Sequence, residues 1–343
     1  VLERLDLLEP VLDHAAKVKG LHVVDSAGND LLDLKYEELG TAYFGAGLHR
    51  PVLLEVLLQG MSRAGVELRW GCEVERNERR STGWMLEFAG GGSDGGWDLL
   101  IIADGARSKL RGQVGIPELN RGYAWGAHWF IGENRGAFPE EELYQVVAGT
   151  RRLAGFLATG REWGGTEPLV SLFWSVKVAE DEAWRGRSLE AWKDEVRKIC
   201  PRAEVLLDQI DDWEQVLTAH YGDVRLRRWD GDGVVVLGDA GHAMSPQLGQ
   251  GVNLALADAA CLADCIERYP LAEALGRYTR CRRWPLWYYQ LATRQLTPWF
   301  QSDHEWLAPV RRMFFRSAQA VGPARRFMTR TMAGLVAGRS SGR

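Results

Sequence analysis

The sequence is short of cysteine, of long apolar runs and, over its last stretch, of acidic residues. Its five cysteines (Cys72, Cys200, Cys261, Cys265 and Cys281) are odd in number and scattered, which argues against a disulfide framework and a zinc ligand set. No metal is expected, and a reducing cytoplasm is the default compartment. The longest apolar stretches, such as residues 99–103, are strand-sized, far below the roughly 18 residues a membrane-spanning helix needs. The N-terminus lacks the charged start and small-residue cleavage site of a signal peptide. It opens at Val1 with a helix-like pattern (Val1, Leu2, Leu5, Leu8, Leu12, Ala15), as an internal start would. No internal repeat is seen.

What remains is globular. The 343 residues suffice for about two domains, and 46% hydrophobic and 26% charged residues with a mean hydropathy of -0.24 are those of a soluble fold. The net charge of -4 argues against a general nucleic-acid binder, yet it hides an asymmetry. Residues 306–343 hold eight arginines and no acid, so this +8 leaves residues 1–305 at -12.

Local patterns place the elements. Leu21, Val23 and Val24, then a Ser-Ala-Gly-Asn-Asp turn, then Leu31, Leu32 and Leu34 predict a hairpin over residues 18–34. Pro51 opens a helix with apolar residues at Val52, Leu53, Val56, Leu57 and Met61, which sets Arg50 at its N-terminal edge. Residues 98–104 (DLLIIAD) and 233–239 (GVVVLGD) are continuous aliphatic runs ending in aspartate, expected to be central parallel strands buried on both faces. Ligands of open α/β sheets bind beyond the strands' carboxyl ends, so Asp104 and Asp239 are expected to face one site. Residues 123–130 (YAWGAHWF) and 169–176 (LVSLFWSV) read as strands of a second sheet, with a helix through Leu189, Trp192, Val196 and Ile199. Val252 to Ile266 predicts a long helix, and a further one runs from Leu271 to Arg283.

The most informative string is residues 238–259, GDAGHAMSPQLGQGVNLALADA. It offers a carboxylate at a strand tip and a helix whose free N–H groups and dipole attract an electron-rich atom. Its glycines let backbone approach a flat ring closely. The string resembles the "GD" segment of the class A flavoprotein monooxygenases, the aromatic hydroxylases of the p-hydroxybenzoate hydroxylase type. Residues 98–111 (DLLIIADGARSKLR) resemble the same family's "DG" segment, in the right order.

The resemblance implies an α/β fold: an interrupted Rossmann-like FAD-binding domain (1–17, 45–118 and 230–270), an inserted mixed-sheet substrate domain (18–44 and 119–229) and a C-terminal helical region (271–343). It implies that Asp239 holds the ribityl hydroxyls of FAD, with Pro246 near the ring. Leu248, Gly249, Gln250, Gly251, Val252 and Asn253 would face the pyrimidine edge through their backbone. Asp104, Gly105, Arg107 and Arg111 would support the FAD site and the path of the NAD(P)H donor, and Arg50 would reach the FAD phosphates. NAD(P)H and O2 would then serve hydroxylation of an aromatic or conjugated small molecule. No side chain is obliged to be a nucleophile, so no catalytic residue is assigned.

Candidates for the substrate pocket are Trp125, His128, Phe130, Trp174, His220 and Tyr221. The family opens with a GxGxxG turn in a βαβ unit, and this sequence lacks it at its start. Its one formal match, Gly90 to Gly95, reads as a hairpin turn. A non-catalytic remnant or interaction module unable to hold FAD is therefore the alternative. Flavin-dependent halogenation is disfavoured because no WxWxIP string occurs. His242 is expected to be structural, Cys261 and Cys265 to be core residues, and the arginine-rich tail to pack on the flavin domain. Contact of that tail with an anionic membrane surface is the second reading.

Overall fold

The computed structural model describes residues 1–336. Helix α1 (Leu8–His14) and strand β1 (Ala16–Val18) lead into the hairpin of β2 (Gly20–Asp25) and β3 (Asp30–Lys35). β4 (Gly45–Gly47) is followed by α2 (Arg50–Arg63), then β5 (Val74–Arg80), β6 (Gly83–Phe88), β7 (Ser93–Trp97) and β8 (Leu100–Ile102). Next come β9 (Glu118–Glu133), β10 (Glu142–Ala148), β11 (Arg152–Gly160) and β12 (Leu169–Lys177), the helices α3 (Asp181–Arg185), α4 (Leu189–Ile199) and α5 (Glu204–Leu207), and β13 (Leu217–Leu226). β14 (Asp230–Gly231), β15 (Val234–Val236) and α6 (Asp239–His242) precede α7 (Gly251–Arg268), α8 (Leu271–Phe300), α9 (Leu307–Ala320) and α10 (Gly322–Met332). Among the described residues no helix is long and apolar enough to cross a membrane.

The predicted hairpin is β2–β3. Its turn closes because the Asp25 carboxylate accepts from the Ala27 and Asn29 backbone at 3.0 and 2.9 Å. Helix α2 begins at Arg50 with Pro51 in its first turn and buries Val52 and Val56. Val56 packs with Leu7 and Val11 of the N-terminal segment. Residues 89–92 turn between β6 and β7 and residues 93–95 begin β7, so the Gly90 to Gly95 match does lie in a hairpin.

Strands β8 and β15 are parallel neighbours, with Leu100, Ile101 and Ile102 opposite Val234, Val235 and Val236. Both carry their motif at the carboxyl end, as expected. Burial on both faces holds for β15 alone. β8 lies at the edge of the described sheet β14-β15-β8, and Ile101 is 46% exposed.

The large sheet has the order β13-β9-β12-β11-β10-β2-β3 and is antiparallel except where β10 meets β2. Side chains alternate between its faces. Phe130, Leu172, Trp174 and Phe156 point into a core closed by Trp192 and Val196 of α4 and by Leu206 and Leu207 of α5. The other face carries Trp125, Ala127 and Trp129 of β9 with Phe173 and Ser175 of β12.

The C-terminal region departs from expectation in the length of one helix. Helix α8 does not end near Arg283 but continues through Pro285 and Pro298 to Phe300. The end of α10 reaches the expected partner, with Met332 against the core that holds β15 and α7, and helices α9 and α10 also pack on the β2–β3 edge of the large sheet. Phe315 joins Leu21, Val23, Leu31 and Leu34 there, while Arg312 pairs with Asp25 at 2.7 Å and Arg325 with Glu38 at 3.1 Å.

Candidate active site

The site builds outward from the end of β15. Gly238 leaves the strand with φ 56°, and Asp239 begins the short helix α6 with its side chain exposed and no hydrogen-bonding partner among the described residues. After Pro246, Gly249 adopts φ 62°, a left-handed turn that a side chain would strain, and this turn starts α7 at Gly251. Among the described residues no side chain caps that helix, which leaves its first N–H groups available. A Cβ on Gly251 would sit 3.8 Å from Asp239 Oδ1, which sets the carboxylate across the α7 start.

Beneath this surface is a buried support. Asp258 of α7 takes His242 Nε2 at 2.5 Å, Arg282 Nε at 2.6 Å and the Gly238 N–H at 3.1 Å. Burial opposes its charge, but the His242 and Arg282 partners win and hold its carboxyl below the usual range. His242 is thus structural, as its sequence context implied.

Arg111 differs from its expected role. It is 1% exposed, pairs with Glu118 and donates to the Ala240 carbonyl at 2.6 Å. A side chain so committed cannot line a path for a nicotinamide; it staples the segment after β8 to α6. Asp104, Gly105 and Arg107 do lie at the open end of β8, with Asp104 and Arg107 exposed and without side-chain partners among the described residues.

Arg50 stands at the N-terminal edge of α2, as expected. A Cβ on Gly47 would fall 1.8 Å from the Ala158 carbonyl, so β4 is pressed on β11 and the start of α2 is brought to the large sheet. The Arg50 guanidinium lies 4.9 Å from the centroid of Trp129, whose ring stacks on Phe173 at 5.5 Å.

Residues 1–270 match the family described as an FAD binding domain. The chain belongs to this FAD-binding family. It is 27% identical over 273 residues to the 6-hydroxynicotinate 3-monooxygenase of Pseudomonas fluorescens, covering 73% of this chain and 65% of that protein. To the FAD-dependent monooxygenase notI of an Aspergillus species it is 29% identical over 235 residues, covering 64% of this chain and 53% of that protein. The chain thus spans less than two thirds of either relative. Its fold matches Klebsiella pneumoniae HpxO, solved with FAD and uric acid, with a TM-score of 0.78 at 19% identity over 98% of this chain and 86% of that one.

The residues fit the cofactor of the FAD-binding family. An exposed, unpartnered carboxylate beside an uncapped helix start suits a polyol joined to an electron-rich ring, and glycines keep the approach open. Pro246, Gly249, Val252 and Asn253 are exposed along it, whereas Leu248 is buried beneath. Gln250 offers only its backbone, because its side chain turns inward and donates to the Met332 carbonyl at 2.7 Å.

Four of the expected pocket residues lie elsewhere. Phe130 and Trp174 point into the helix-covered core of the large sheet. His128 is fully buried on that same face, with Nε2 2.7 Å from Asp181, and His220 pairs with the same carboxylate at 3.4 Å. Strand alternation explains this: even-numbered positions near 128 face α4, and odd-numbered ones face the opposite side. Trp125 shares the face of Trp129 but is buried.

Tyr221 does reach the border of the site. It hydrogen-bonds Gln301, which receives Gln247 Nε2 at 2.8 Å and donates to the Gly126 carbonyl at 3.0 Å. Burial pushes the Tyr221 hydroxyl far above its ordinary pKa, so it stays protonated. Trp129, Phe173, Gln247 and Gln301 were not singled out from the sequence. Period-two alternation would have found Trp129; nothing local marks Gln301, which arrives at the end of a helix longer than expected.

Proposed function

We propose that this protein is an FAD-dependent monooxygenase that takes electrons from NAD(P)H and uses O2 to hydroxylate an aromatic or similarly conjugated small molecule. The observation that carries this reading is the unpartnered Asp239 carboxylate at the tip of β15, set across the uncapped start of α7. Asp239 would accept from the ribityl hydroxyls, and the first N–H groups of α7 would receive the electron-rich edge of the ring. Bound there, FAD would supply the redox chemistry between a nicotinamide donor and O2.

The chain's own work is to bind, orient and exclude water. Tyr221, Gln301 and Gln247 tie the Pro246 loop to β9 and β13. Trp129 and Phe173 offer a flat apolar wall for a planar substrate, and Arg50 adds a positive charge to it. Asp104 and Arg107 would border the approach of the nicotinamide donor. Similarity to a 6-hydroxynicotinate 3-monooxygenase supports a small, electron-rich, anionic heteroaromatic ring. A cytoplasmic location suits five cysteines that form no disulfide.

The test is to incubate the purified chain with excess FAD, desalt it and read the visible flavin band. Near-stoichiometric FAD is expected, followed by NAD(P)H oxidation matched to hydroxylated product when hydroxypyridine carboxylates are supplied. A colourless protein after desalting would overturn FAD binding by this chain and favour the non-catalytic alternative. Retained FAD with no product-linked oxidation across aromatic substrates would overturn the monooxygenase reading.

A further inference from the structure

Helix α8 presents an aromatic face that the site does not use. Trp284 and Trp287 are 55% and 50% exposed and stack on each other at 5.0 Å. Tyr288 extends the group, lying 6.4 Å from Trp284 and 6.5 Å from Phe327 of α10, itself 53% exposed. The arrangement is fixed, because Tyr288 Oη and Thr331 Oγ1 are 2.7 Å apart and Tyr289 Oη donates to the Thr331 carbonyl at 3.2 Å. Large apolar rings left in contiguous contact with water mark an interaction surface.

The rim of this surface carries one sign of charge. Arg280 and Arg283 stand one turn before Trp284 and Trp287, on the same side of α8, and Arg330 lies three residues after Phe327. With Arg326 all four are exposed, and none forms an ion pair among the described residues. No acid occurs in α8 after Glu273, nor anywhere in residues 306–343.

We propose that this aromatic–arginine face of α8 and α10 docks on an anionic lipid bilayer. Tryptophan rings suit the headgroup boundary, and arginines around them meet lipid phosphate or carboxylate. A second copy of the chain is a poor occupant, since a two-fold contact would set arginine against arginine. RNA or single-stranded DNA is also disfavoured, because the two indoles spend faces on each other and offer no slot between them for a base. With the four rim arginines set aside the rest of the chain carries -8, and it would turn away from the same bilayer and so orient the molecule.

Vesicle flotation of the full chain tests this without any turnover, so its outcome is separate from that of the flavin assay. Binding is expected to vesicles of phosphatidylcholine with phosphatidylserine, to weaken as salt is raised, and to be at least tenfold weaker to phosphatidylcholine alone. The Trp284→Ser/Trp287→Ser and Arg280→Gln/Arg283→Gln pairs should each keep the native circular dichroism and bind anionic vesicles less, with roughly fivefold lost per arginine. No flotation with anionic vesicles, equal binding to neutral ones, or variants that float like the parent would overturn the proposal. So would concentration-dependent dimers lost in the tryptophan variant, or binding to single-stranded RNA in place of vesicles.

Discussion

The two faces of the large sheet share every strand and divide the labour between them. On one, Phe130, Leu172 and Trp174 are sealed under α4 and α5, and His128 is held against Asp181. On the other, Trp129 and Phe173 stack beside the Arg50 guanidinium. His128 and Trp129 are neighbours in sequence with opposite surroundings. Residue type alone does not assign a histidine or tryptophan to a site; the strand's period of two does.

The largest effect that would sharpen this contrast is on the sealed face. Trp174→Ala removes a fully buried indole and should cost about 3–5 kcal/mol of stability, read as a lower urea midpoint. Were Trp174→Ala instead to leave the midpoint alone and raise KM, the assignment of faces would be reversed.

On the open side, Asp239→Asn should weaken FAD retention by about ten- to a hundredfold, the range for losing charged hydrogen bonds. Thermal stability of the flavin-free chain should barely move, because the carboxylate has no partner there to lose. Equilibrium titration followed by flavin fluorescence reads the first quantity, and a melting curve reads the second. Unchanged FAD affinity would remove Asp239 from the site.

A smaller change is expected for Trp129→Leu, which loses an aromatic pair of about 0.5–1.5 kcal/mol. Its KM for an aromatic substrate should rise several-fold while the urea midpoint shifts less than in Trp174→Ala. Equal losses of stability in the two variants would erase the difference between the faces.

The smallest signal is in pH. Burial pushes the His128 imidazole below its ordinary value of 6.5, with Asp181 opposing, so the folded chain binds fewer protons than the unfolded one. Stability from this site is full above that value and is lost as pH falls from 6.5 toward the lower folded value. His128→Gln should flatten the melting temperature between pH 7 and 5. An unchanged slope in the variant would assign the pH dependence to other groups.

The two strand-tip motifs were legible because each compresses strand, turn and helix start into one string. The hairpin, α2 and the helix through Trp192 were legible from periodicity and proline. Three features were not. Edge exposure of β8 depends on which strands adjoin it, which an aliphatic run cannot express. The extent of α8 was hidden by Pro285 and Pro298, which ordinarily end helices; here Pro285 is buried among α8's packed residues, and Thr297 returns its hydroxyl to the Thr293 carbonyl at 2.8 Å. The commitment of Arg111 to Glu118 and Ala240 joins segments far apart in sequence, so a residue read as ligand-facing proves to be a staple.

The bond from Gln250 to the Met332 carbonyl has a practical side. It links the end of α10 directly to the loop that opens α7, so whatever stiffens that loop is felt near the carboxyl terminus. A dye placed at Leu335 becomes a remote gauge of ligand occupancy, and a purification handle fused behind it becomes a source of artefact.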